Sequence, residues 1–206
     1  MYNFFDKDDV IIRIYSDNII FAHKSRCPGA PVFDFYLVRS YMAQYQLFLL
    51  SSGLLSRGFI TQGRLFINDS FIMGAALAKA HEAEKYIVKY PRVVVDPKLM
   101  ELLPDQIHQY PIPPDRFLKK DRADGFYFLN YYQALIQGNG KIWHRELFSA
   151  TKTIINNLKS YRQETLPKLY WLIKYHNAFC KKYHCDEFII PREVVAKIKK
   201  NIRTLA

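Results

Sequence analysis

The chain has 206 residues, half of them hydrophobic and 16% aromatic, which is enough for a buried core and excludes a disordered chain. No run of about 18 apolar residues occurs, and MYNFFDKDD carries acids where a signal peptide carries bases before an apolar stretch. A cytoplasmic protein with no membrane partner is expected, and Cys27, Cys180 and Cys185 do not supply a paired disulfide framework. The net charge of +11 is uneven: residues 1–140 hold 16 Lys and Arg against 14 Asp and Glu, residues 141–206 hold 14 against 5. Such an asymmetry marks either a surface for an anionic partner or the solvated face of basic helices.

Val10 to Tyr15 and Ile19 to His23 are rich in β-branched residues and flank Ser16-Asp17-Asn18, so the spacing predicts a hairpin with a tight turn. KSRCPGAP breaks structure, and from Val32 to about Leu55 apolar residues recur at three and four residues, predicting a long buried helix. RGFITQGRLFI, residues 57–67, reads as a strand, and Asn68-Asp69-Ser70 as a turn before a short strand over Phe71 to Met73. AALAKAHEAEKYIVKY favours helix up to Pro91, and RVVVD, Arg92 to Asp96, reads as a short buried strand. A Pro-rich connection leads to DRADGFYFLNYY, with a turn at Asp124-Gly125 and a last strand. Helices are expected at about 141–160, 163–184 and 191–204, with Pro167 and Pro191 tolerated in first turns. The expected architecture is an α+β core over residues 1–135 and a basic helical extension over 136–206.

In their order, RIYSDNIIFA, RGFITQG, INDSFIMGAALAKAHEAEK and PRVVVD resemble the catalytic domain of class III nucleotide cyclases, in particular the bacterial stand-alone branch that includes the anti-phage pyrimidine cyclases of the Pycsar systems. DRADGFYFLNYY and WLIKYHN extend the resemblance, which covers residues 8 to 180. It implies a ferredoxin-like antiparallel sheet packed on helices, a homodimer or a pairing with another cyclase subunit, and Mg²⁺ or Mn²⁺ as cofactor. The reaction implied is that of a phosphorus-oxygen lyase: the 3′-oxygen of a nucleoside triphosphate attacks its own α-phosphate, and two hard cations held by carboxylates offset the charge.

On that match Asp17, at the hairpin tip, is a metal ligand, and Arg13, four residues earlier, takes the base-reading position. Strand alternation puts Arg13, Tyr15 and, if the strand persists into the turn, Asp17 on one face, where they would contact nucleotide. Arg57 either reaches an anionic group as a catalytic residue or caps a strand end; Asp17, read without the resemblance, is a turn-forming residue. Asp69 reads as a solvated turn acid.

Two departures bear on activity. Where many members carry an Asn and, four residues on, a transition-state Arg, this chain has Ala78 and Glu82. The family's first strand, which bears the second metal-binding Asp, has no counterpart before residue 10; Asp6, Asp8 and Asp9 abut the hairpin and cannot replace a strand with its crossover. The expectation is therefore an incomplete, ferredoxin-like cyclase relative, inactive in this form. The competing readings are a pseudo-cyclase that binds nucleotide or pairs with another subunit, and nucleic-acid binding through the basic extension, which shows no recognition motif. His176, Cys180 and His184 recur at four-residue steps beside Cys185, which admits either a zinc site or buried core residues.

Overall fold

The structure, a computed structural model, describes residues 10–24, 31–68, 70–102 and 117–204. It is mixed α and β, as the sequence predicts, with three small sheets and six helices among the described residues.

Strands β1 (Val10–Tyr15) and β2 (Asn18–His23) form an antiparallel hairpin closed by Ser16-Asp17, with Tyr15 opposite Asn18 and Val10 opposite His23. Ser16 takes the left-handed backbone angle (φ 55°), so the turn's unusual conformation falls on it and not on Asp17 or Asn18. That register puts Ile12, Ile14, Ile19 and Phe21 on one face and Ile11, Arg13, Tyr15 and Ile20 on the other. Two largely apolar faces are the pattern of strands covered on both sides, yet Ile12 and Ile14 are 53% and 68% exposed.

Helix α1 (Pro31–Ser51) stops short of Leu55. Gly53 enters the left-handed region (φ 95°), and the Leu54 amide closes back on the Leu49 carbonyl at 2.9 Å, which ends the helix. The single strand expected over 57–67 is two, β3 (Gly58–Ile60) and β4 (Phe66–Ile67), and β4 pairs only with β5 (Ile72–Met73). The break follows from the close seating of residues 63–65 on the start of helix α2 (Ala75–Tyr86): the Ala76 amide donates to the Arg64 carbonyl, and a Cβ on Gly74 (φ 146°) would lie 2.4 Å from that same oxygen. Only glycine fits at position 74.

Strand β6 (Val93–Val95) leads into helix α3 (Pro97–Glu101), whose N-cap Asp96 accepts from the Lys98 amide at 3.1 Å. Strands β7 (Leu118–Lys120) and β8 (Tyr127–Leu129) complete a four-stranded sheet in the order β3-β6-β8-β7. Its β3–β6 pair is parallel and the others antiparallel, so this sheet is mixed where an antiparallel one is expected, and the hairpin is not hydrogen-bonded to it.

Helices α4 (His144–Lys159), α5 (Leu166–Lys182) and α6 (Arg192–Arg203) fall close to their expected positions. They share one core with α1 and β8: Ala43 and Leu47 pack in the same cluster as Phe128, Leu147, Ile173 and Ile198. The helices beyond residue 136 thus dock on the chain's own α+β portion. A buried Arg92 reinforces that junction, because its guanidinium pairs with both Asp121 and Asp124 and lies 5.3 Å from the Phe128 ring and 5.5 Å from the Trp171 ring. The Trp171 indole donates to Asp121 at 2.6 Å, so one cluster ties β6, the β7–β8 turn and α5 together.

Candidate functional site

A cleft of about 2140 Å³ opens between the hairpin and the body of the molecule, walled by β2, β3, α1 and α2. Small-ligand pockets measure roughly 300–1,000 Å³, so a nucleotide would fill only part of it.

Three of the four residues singled out from the sequence line this cleft: Tyr15 and Asp17 from the hairpin end, and Arg57 from the entry to β3. Asp17 is exposed, and its carboxylate accepts from the Asn18 amide group at 3.1 Å. The strand ends at Tyr15, so alternation does not extend into the turn; Tyr15 and Asp17 share the cleft wall and not a strand face. Arg13 points elsewhere, donating to the Ile12 carbonyl (3.2 Å) and to Asn68 (3.5 Å) on the β4–β5 connection. Arg57 donates to the Val88 carbonyl at 3.0 Å, which fastens the loop after α2 while its side chain remains exposed to the cleft. Ala78 also lines the cleft, Glu82 is exposed, and Asp69 lies outside the described residues.

The charges around the cleft are mixed. Asp17, Glu84 and Glu164 line the cleft together with Lys24, Arg57, Lys89, Arg162 and Lys168, an excess of cations suited to an anionic ligand. No group of three or more His, Cys, Asp or Glu side chains placed to hold a metal ion occurs among the described residues.

Next to the cleft lies a cluster that the sequence reading did not single out. Asp96, at the end of β6, accepts from Thr61 (2.5 Å) and from the Lys98 amide, and pairs with Lys79 of α2. Burial alone would raise its carboxyl, but the Lys79, Thr61 and Lys98 donors outweigh that and hold it below the ordinary value. The dipeptide Asp96-Pro97 is the available signal, since Asp at the N-cap and Pro in the first turn mark a helix start. Thr61 lines the cleft and the Asp96 amide donates to the Ile60 carbonyl at 2.9 Å, so this cluster ties the end of β3 to β6 and α2 beside the cleft.

The four-residue repeat on α5 resolves into a hydrogen-bonded core. His176 is buried; its Nε2 faces the Phe188 carbonyl at 2.8 Å, which only accepts, so Nε2 carries the proton and Nδ1 accepts from the Tyr132 hydroxyl at 2.8 Å. Burial pushes the imidazole below its ordinary value against the opposing pull of the Phe188 carbonyl, and pushes the Cys180 thiol up to about 12. His184 is exposed on a left-handed backbone (φ 54°), away from that register. With both ring nitrogens of His176 engaged, the buried-core alternative accounts for His176, Cys180 and Cys185.

No protein-family model, no curated protein and no solved structure matches this chain.

Proposed function

We propose that this chain is a nucleotide-cyclase-like protein whose cleft binds a nucleoside triphosphate and which does not cyclise it alone. The observation that carries the reading is that Tyr15, Asp17 and Arg57, from the separate stretches RIYSD and RGFITQG, all line the wall of one wide cleft. Asp17 would hold Mg²⁺ or Mn²⁺, since hard cations favour carboxylate oxygen, and such an ion would offset phosphate charge. Tyr15 offers a ring to the base, Arg57 a cation to phosphate, and Arg13 supports the hairpin from the Asn68 side. The four-stranded sheet and the hairpin are read as parts of a ferredoxin-like arrangement, with anti-phage cyclases as the functional relatives.

The absence of turnover follows from charge. A two-metal phosphoryl site needs several convergent carboxylates, and a transition-state cation is expected on the helix where Ala78 and Glu82 stand. Pairing with another cyclase subunit is the second reading, favoured by the exposed Ile12, Ile14 and Ile19 on one hairpin face; Ile14 and Ile19 also line the cleft, so a protein partner would cover its hairpin side. Incubation with each of the four nucleoside triphosphates and Mn²⁺, followed by mass spectrometry, tests the proposal. Intact triphosphate is expected; a cyclic product whose formation is abolished by Asp17→Ala would make the chain an active cyclase.

A further inference from the structure

Helix α4 carries a feature unrelated to the cleft. Its inner face, with Leu147, Ala150 and Ile154, is buried in the core. On the outer face Arg145, Phe148, Lys152, Ile155 and Lys159 follow at steps of three and four residues, one stripe along the helix. Phe148 is 57% and Ile155 40% exposed, Arg145, Lys152 and Lys159 are exposed, and Trp143 stands 48% exposed at the helix start. The stripe contains no acid; Glu146 is half-buried on the flank, and the nearby Glu187 faces His144 at 3.6 Å.

We propose that this face of α4 docks peripherally on an anionic lipid surface, independently of the nucleotide reading. Cations that alternate with bulky apolar side chains in each turn match a bilayer interface, where phosphate head groups meet the cations and the acyl boundary accepts the apolar groups. Single-stranded nucleic acid fits less well: Ile155 has no ring to stack, and the outer face of one helix supplies no groove to track a backbone. An acidic protein would satisfy the cations but has less use for Phe148 and Ile155 without an apolar seam of its own. No helix among the described residues is long and apolar enough to cross a membrane, so the contact is adsorption and not insertion.

The test is co-sedimentation of the full chain with phosphatidylcholine vesicles, with and without phosphatidylserine. Binding is expected only with phosphatidylserine and should weaken as salt rises. Lys152→Glu with Lys159→Glu should lower partitioning about tenfold or more. Phe148→Ser with Ile155→Ser should lower it by a similar factor while the remaining binding stays salt-sensitive. All four positions face solvent, and unchanged circular dichroism and melting confirm that the variants fold. Equal binding to both vesicle types, no binding to either, or wild-type partitioning by the Phe148/Ile155 variant would overturn the proposal. A gel-shift arm with single-stranded RNA completes it: RNA binding without vesicle binding would also overturn it.

Discussion

The hairpin is richer in apolar residues than the helical portion, yet the helices bury theirs and the hairpin does not. In the helices, aromatic residues interlock: Tyr132 lies 5.0 Å from Phe179 and 5.1 Å from Tyr175, and the Tyr132 and Tyr175 hydroxyls find partners in His176 at 2.8 Å and Asn130 at 2.7 Å. In the hairpin, Ile12, Ile14 and Ile19 face solvent, and an isolated two-stranded unit is marginal in water. Stability therefore resides in the helices and their junction with the sheet, whereas the acid and aromatic read as functional sit where packing is weakest. Binding groups are commonly found in such low-stability segments, supported by a rigid scaffold.

That contrast is easiest to break at the junction. Arg92→Leu removes the cation between Asp121 and Asp124 in a buried setting, and should cost about 3–5 kcal/mol in urea unfolding. A loss under about 1 kcal/mol would place the stabilising centre elsewhere. Tyr132→Phe leaves Nδ1 of His176 without its donor in the core and should cost about 1–3 kcal/mol. His176 also sets a pH dependence. Its folded pKa is depressed, so the unfolded chain binds the extra proton; stability is full above the ordinary value of 6.5 and falls as pH drops below it, by up to about 1.4 kcal/mol per pH unit. Urea melts between pH 7 and 5 should show that slope, and His176→Gln should flatten it. At the other extreme, Ile12→Thr with Ile14→Thr should shift stability by only about 0.5 kcal/mol, since both are already solvated.

Much of the fold was legible in the sequence because periodicity is strongest in long elements. The expected helices at 141–160, 163–184 and 191–204 correspond to His144–Lys159, Leu166–Lys182 and Arg192–Arg203, with Pro167 in a first turn and Pro191 at an N-cap. Short strands were less legible. Strand β7 offers one buried residue, Leu118, before two lysines, and carries no period to detect. The division of 57–67 into β3 and β4 depends on Gly74, nine residues beyond Leu65, so no local pattern announces it. Arg92 reads in sequence as the start of a strand; its burial depends on Asp121, Asp124 and Trp171, up to 79 positions away.

The candidate site was legible to a lesser degree. RIYSD and RGFITQG supply residues that line one wide cleft, while alternation placed Arg13 beside Tyr15 and Asp17 when its guanidinium donates to Asn68. Thr61, Lys79 and Asp96 escaped notice because ordinary residue types become a cluster only when β3, α2 and β6 are assembled.

The most direct test of the account is paramagnetic broadening of backbone amide signals by Mn²⁺ in the presence of a nucleoside triphosphate. The account predicts selective broadening at Ser16, Asp17 and Asn18, saturating with nucleotide and absent from Asp17→Ala. Broadening centred on other residues, or unchanged in that variant, would contradict the assignment of Asp17 as the metal ligand of a nucleotide site.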